Sequence, residues 1–452
     1  MLDLRIDGGL VAQLTDEPRQ ASIGIKDGLI AALGDLADAP AREIIDADGT
    51  IVMPGFLDTH VHLGFTDRDL EWSTETQQAA IGGVTMPLIY FRDLAPYGDN
   101  LAEFLATGQR SAHTDFAVHL GILNDGHLDQ FDAVLSQFDI HSIKMYTTYK
   151  DGSLSKFGIL GQDDGFILDV MRRAAARGDV TVNVHCENDD IVRRGQTHWA
   201  HDITGQAQQW AAMRPPIAEV EAIRRICLLA RETGARLHLP HVSSSRAIDT
   251  AIAERLLGTE VSIETCPQYL MPKLATASGA LSKVNPPVRP EEDGARLWQA
   301  FRDGQIDTLG TDHACWCRAD KTAESTLDVA AGFPGLGTLV PLMMDSVHRG
   351  RITTSDLVRA NLRAAKAFGL QKRGQIQPGY HADLVLVDPA AVRDVTPEAL
   401  GGLSDFSPWE DLPLTGWPVM TLLRGQVVAR DGKVTGEPRG RYARDGYQPA
   451  AG

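Results

Sequence analysis

The sequence predicts an α/β protein: a (β/α)8 TIM barrel, with a small β domain assembled from the two ends of the chain. Three observations lead there. Eight short β-prone apolar runs recur through the middle of the chain, most of the gaps after them read as amphipathic helices, and both ends alternate in the manner of strands.

The first 52 residues carry the runs "SIGIKDGLIAALG" and "REIIDADGTIVM", broken at Asp-Gly pairs that suit tight turns. Residues 371–452 continue alike, with "HADLVLVDP" and "VMTLLRGQVVARDGKVTG". Neither end can bury a core alone, so residues 1–52 and 371–452 are expected to form one domain beside a barrel of residues 53–370.

Within the barrel segment the strand runs begin at Gly55 ("GFLDTHVH"), Gly83 ("GVTMPLIYF"), Phe116 ("FAVHLGI"), Ser142 ("SIKMY"), Val180 ("VTVNVHC"), Arg236 ("RLHLPHV"), Thr259 ("TEVSIETC") and Ile306 ("IDTLGTD"). Two of the helices between them are explicit. In "PPIAEVEAIRRICLLARETG", Ile217, Val220, Ile223, Cys227 and Ala230 mark one face, with prolines at the start and Gly234 as a stop. "SSSRAIDTAIAERLLG" offers serine caps and ends at Gly258.

Composition excludes several function classes. With 43 Lys and Arg against 60 Asp and Glu the formal charge is −17, which argues against nucleic acid or an anionic membrane as partner, since both demand clustered cations. A small uncharged molecule is the expected partner. The five cysteines (Cys186, Cys227, Cys266, Cys315, Cys317) are odd in number and scattered, which fits a reducing cytoplasm rather than a disulfide framework. The opening "MLDLRIDGGL" lacks a cationic lead and an apolar core, so neither export nor membrane insertion is expected.

Chemistry concentrates at strand ends, where a barrel places its catalytic groups. His60 and His62 are two residues apart on a strand and share a face. Alone, such a pair reads more readily as two hydrogen-bonded core histidines than as metal ligands. Four further strand ends carry Lys144, His185, His241 and Asp312. Six such groups converging on one barrel mouth point to a divalent metal centre.

These residues, in this order, are the signature of a family. The motifs "MPGFLDTHVH", "IKMYTTYK", "HCEND", "HVSSSRA", "CPQYL", "NPPVR" and "GTDHA" resemble those of the hydantoinase and dihydropyrimidinase group of the cyclic amidohydrolases, along nearly the whole chain. The resemblance implies a barrel with a β-sandwich built from both chain ends, and a cyclic amide hydrolase as activity. For Lys144 it implies an N6-carboxylysine, a carbamate formed with CO2, whose oxygens bridge two metal ions. His60, His62 and Asp312 match the ligands of the first metal, His185 and His241 those of the second. Zn2+ is the default, with Mn2+, Co2+ or Ni2+ able to occupy the same donors. Asp312 is then the proton shuttle, Tyr149 the group that steadies the oxyanion, and the loop around Asn285 the grip on the ring. A homodimer or homotetramer goes with the resemblance.

The expected reaction opens the ring amide of an uncharged cyclic diamide or ureide, a 5-substituted hydantoin or a dihydropyrimidine, to an N-carbamoyl amino acid. Allantoinase and cyclic imide hydrolase share the chemistry. Dihydroorotase is disfavoured because Gly64 stands where that enzyme carries an arginine, although Arg68 lies four residues on. A non-catalytic relative would not need all six ligands. Cys315 and Cys317 read as loop residues rather than a metal pair, and His313 as a residue pointing away from Asp312.

Overall fold

Eight strands from the middle of the chain form one sheet whose spatial order is the chain order: Phe56–Val61, Val84–Phe91, Ala117–Gly121, Ser142–Tyr146, Thr181–His185, Arg236–Leu239, Val261–Thr265 and Thr308–Leu309. The structure is a computed structural model that describes residues 1–15, 17–199, 207–272, 276–323, 325 and 327–444. Residues 445–452, the end of the expected β domain, lie outside the described residues. Each barrel strand pairs parallel with the next. A parallel pair requires a crossover, and the helices between the strands supply it. Strand eight returns beside strand one: Val61 and His313 form a parallel bridge, and His62 N donates to His313 O at 2.9 Å. The eight runs picked out by their apolar pattern are the eight barrel strands.

The helices follow their local signals with one correction. Helix Pro216–Thr233 opens on proline and stops at Gly234, whose φ of 76° is the left-handed cap only glycine adopts freely. Val220, Ile223, Cys227 and Ala230 are buried as expected, but Ile217 is 41% exposed. At about 100° per residue the buried set, which also includes Ala222 and Ile226, centres near Ile223 and Ala230, and Ile217 points about 140° away. Helix Ser245–Leu256 is capped by Ser244, whose hydroxyl accepts from Ala247 N at 3.2 Å.

Two further sheets come from the chain ends, one from the N-terminal segment alone and one from both ends. Leu2–Asp7, Ser22–Lys26, Leu29–Gly34 and Ala41–Asp46 make a four-stranded sheet; a seven-stranded sheet joins Leu10–Val11, Arg19–Gln20 and Ile51–Pro54 to Leu384–Asp394, Pro413–Leu423, Gln426–Arg430 and Lys433–Val434. The Asp-Gly pairs turn as their chemistry requires: Asp27 and Gly28 have φ of 52° and 77°, Asp431 and Gly432 51° and 76°. A core of Leu4, Ile6, Ile23, Ile25 and Ile45 from one sheet and Val52, Leu384, Leu386 and Leu422 from the other lies between them, so residues more than 300 positions apart share one β-sandwich. No helix among the described residues is long and apolar enough to cross a membrane.

Candidate active site

The C-terminal ends of the barrel strands open into a cavity of about 610 Å3 whose floor is made by His60, His62, Lys144, His185, His241 and Asp312. The structure therefore brings together all six residues singled out at strand ends, and Tyr149 and Asn285 line the same cavity.

His60 is nearly inaccessible, and its Nδ1 lies 3.0 Å from Glu264 Oε1, so the ring proton sits on Nδ1 and the lone pair on Nε2. That lone pair faces Asp312 Oδ1 at 3.2 Å, and His62 Nε2 faces the same oxygen at 3.0 Å. His60, His62 and Asp312 each offer one ligand atom within 4.8 Å of the others, a group that can hold a metal ion. On the opposite side His185 Nε2 donates to Glu187 Oε2 at 2.8 Å, which leaves the Nδ1 lone pair facing His241 Nε2 at 3.0 Å. With the His241 ring proton on Nδ1, both of these nitrogens offer lone pairs that a cation can take.

Lys144 lines the same cavity as both groups. Its side chain is buried, its Nζ has no hydrogen-bond partner, and it lies 4.4 Å from the centre of the Tyr90 ring and 5.3 Å from that of Tyr146. Burial lowers the amine to about 8, against the pull of Asp312 and Glu264, so a neutral amine is within reach near physiological pH. Burial pushes Asp312 well above the usual carboxylate range. It holds His60, His62 and His241 well below the usual imidazole range and His185 at about 4, so all four rings are neutral donors at pH 7.

Tyr149, His241 and Asp312 all have left-handed φ, of 68°, 43° and 55°, conformations that cost free energy and cluster at functional sites. The Tyr149 hydroxyl oxygen accepts from Asn285 Nδ2 at 3.1 Å, and Asn285 Oδ1 accepts from Trp210 Nε1 at 2.9 Å. The amide is thereby oriented, and the hydroxyl proton of Tyr149 is left for another acceptor.

The sequence reading passed over the groups that hold these donors in place. Glu187 stands two residues after His185 and is clamped by the buried Arg214, whose Nε lies 3.0 Å from Oε1. Asp58, two residues before His60, accepts from His60 N at 3.1 Å, from Thr311 N at 2.9 Å and from Thr311 Oγ1 at 2.6 Å, tying strand one to the segment carrying Asp312. Glu264 is the penultimate residue of strand seven, and its carboxylate meets the His60 ring. A carboxylate near the C-terminal end of a barrel strand was the available signal.

One wall of the cavity is aromatic. Phe65 stacks on Trp316 with centroids 4.7 Å apart, and Phe157 meets both edge-on, at 5.4 and 5.6 Å. Arg68 lines a separate cleft of about 200 Å3 with its guanidinium 5.9 Å from the Phe91 and Phe104 rings. His313 points away from the cluster, its Nε2 2.9 Å from Glu75 Oε2 and its Nδ1 accepting from Gly335 N and Leu336 N. Cys315 is buried, and Cys317 Sγ lies 3.7 Å from Leu403 O.

Against known proteins, the family described as "Amidohydrolase family" matches residues 129–428. The chain is 33% identical to an allantoinase of Rubrobacter xylanophilus, over 98% of this chain and 97% of that protein. It is 32% identical to a D-hydantoinase of Geobacillus stearothermophilus, over 97% of this chain and 96% of that protein. Among solved structures, an L-hydantoinase (dihydropyrimidinase) from Arthrobacter aurescens superposes with a TM-score of 0.91 at 29% identity, covering 98% of this chain and 100% of that one.

Proposed function

Because the chain belongs to the amidohydrolase family, we propose that it is a binuclear-metal hydrolase that opens the ring amide of an uncharged cyclic diamide or ureide, a 5-substituted hydantoin or a dihydropyrimidine, to an N-carbamoyl amino acid. The observation that carries the reading is Lys144: a buried amine without a hydrogen-bond partner, in the same cavity as the His60, His62 and Asp312 group and the His185 and His241 pair. Its deprotonated nitrogen adds to the carbon of CO2 and releases one proton, giving a carbamate whose two oxygens serve both groups. The amine's charge is thereby inverted, which a site for cations requires.

In this reading His60, His62 and Asp312 would hold one divalent cation and His185 and His241 the other, with the carboxylated Lys144 supplying anionic oxygen to both. Zn2+ is the metal we favour for these nitrogen and oxygen donors. When bound, such a pair polarises a carbonyl and acidifies water at neutral pH. Asp312 takes the proton from the attacking water and delivers it to the ring nitrogen as the C–N bond breaks. Tyr149, its oxygen held by Asn285, turns its free proton to the developing oxyanion.

The aromatic wall of Phe65, Phe157 and Trp316 supports rings with an apolar substituent. The allantoinase reading draws support from the relative of that name, and differs only in the ring. Dihydroorotate carries a carboxylate, and Arg68, the cation nearest in sequence, is packed against Phe91 and Phe104 in its own cleft. We further propose the division into barrel (53–370) and β-sandwich (1–52 with 371–452), a homodimer or homotetramer, and a cytoplasmic location, which the five free cysteines support.

The test is kcat/KM over hydantoin, a 5-aryl hydantoin, dihydrouracil, allantoin, succinimide and dihydroorotate, because that ratio reports differential binding of the transition state. Uncharged rings are expected to lead. A clear preference for allantoin keeps the mechanism and changes the ring; a preference for dihydroorotate contradicts the reading.

A further inference from the structure

Strand seven contributes none of the six floor residues, yet its Glu264 carboxylate meets residues from both halves of the cavity floor. Glu264 is fully buried. Its Oε1 lies 3.0 Å from His60 Nδ1 and also accepts from His241 N at 3.0 Å. Its Oε2 accepts from the Thr59 hydroxyl and lies 3.3 Å from His238 Nε2. We propose that Glu264 is a positioning residue that couples the two cation sites, a single carboxylate oxygen fixing His60 on one side and His241 on the other. The inference rests on the two-cation reading above.

Three features support it. The hydrogen bond from His60 sets which ring nitrogen keeps the lone pair, and partners of this kind orient a ligand and raise its basicity. His241 has φ of 43°, a conformation that non-glycine residues rarely adopt, and its main-chain N–H is the group that Oε1 holds there. Space has been made for the carboxylate: a Cβ on Gly310 would lie 2.8 Å from Glu264 Cδ, 2.9 Å from Oε2 and 2.6 Å from His60 Cβ. Glycine therefore permits strand eight to close over the carboxylate.

The neighbouring carboxylate behaves differently. The Glu187 carboxylate pairs with His185 and Arg214, both on the His185 side of the cavity. Removing Glu187 should affect one site, whereas removing Glu264 should affect both.

The experiment is stepwise Zn2+ affinity by chelator competition on the full chain, for wild type, Glu264→Gln, Glu264→Asp and Glu187→Gln, with circular dichroism as the check on folding. Gln keeps the size and one acceptor oxygen but loses the charge; Asp keeps the charge but withdraws it by one methylene. Wild type should bind two ions. Both Glu264 variants should lose roughly 10- to 100-fold at each step, and Glu187→Gln the same at one step only. Either folded Glu264 variant with a native affinity at one or both steps overturns the coupling while leaving the two-cation reading intact. A wild type that saturates at one ion overturns that reading, and the coupling with it.

Discussion

His185 and His241 face each other nitrogen to nitrogen, Nδ1 to Nε2, at 3.0 Å, with the other nitrogen of His185 already given to Glu187. Two neutral imidazoles this close can share one proton between the facing nitrogens or offer both lone pairs to a cation. Divalent metal should therefore stabilise the chain: at a hundredfold excess over Kd a single site contributes about 2.7 kcal/mol. Thermal melts of metal-stripped protein with and without Zn2+ should show the gain, and His241→Ala should lose much of it. Equal melting temperatures in both conditions would contradict the assignment.

Lys144→Ala should abolish turnover and weaken metal retention. Lys144→Arg should fail as completely, because a guanidinium stays protonated and cannot add CO2 under ordinary conditions. Turnover by each variant is compared at matched circular dichroism. Near-normal turnover in Lys144→Arg would defeat the carbamate.

Tyr149→Phe tests the oxyanion assignment. Loss of one donor to a developing oxyanion typically lowers kcat about 10²- to 10³-fold, with little change in KM if the group acts only in the transition state. Asn285→Ala, which frees the Tyr149 oxygen without removing its proton, should cost less. Steady-state kinetics of both variants decide it; a rise in KM alone for Tyr149→Phe would make the tyrosine a binding residue.

Lys283 supplies a pH dependence away from the metal donors. Burial holds its amine down at about 7, although Nζ donates to Leu327 O and Val329 O. In the unfolded chain a lysine titrates near about 10.4. Between those values the unfolded state binds more protons, so this group's penalty is full below about pH 7 and fades as pH rises toward 10. The stability of Lys283→Met relative to wild type, from denaturant unfolding, should therefore fall as pH increases from 7 to 10. A difference that is flat across that window would contradict the shift.

The sequence made the barrel legible because period-2 and period-3.6 patterns report which face of a regular element is buried. His60 and His62 could be placed together from their spacing alone, and Lys144 stood out as a charge in an apolar run. Glu264 and Asp58 escaped because their partners, at His60, His241 and Thr311, lie up to 253 residues away in the chain, and local pattern carries no such pairing. The wall of Phe65, Phe157 and Trp316 escaped for a related reason: its rings come from three separate connections, whose conformations periodicity does not set. Ile217 was misplaced because each i, i+3 step drifts about 60° around the helix, so two such steps carry it from the buried Ile223 to the solvent side.

The central claim is that ring opening depends on two cations held by these six residues. The direct measurement is turnover of an uncharged cyclic amide by metal-stripped chain as Zn2+ is added in the presence of bicarbonate, with bound metal counted by elemental analysis. Activity should be absent without metal and reach its plateau at two ions per chain. Full turnover by the metal-free chain would contradict the account.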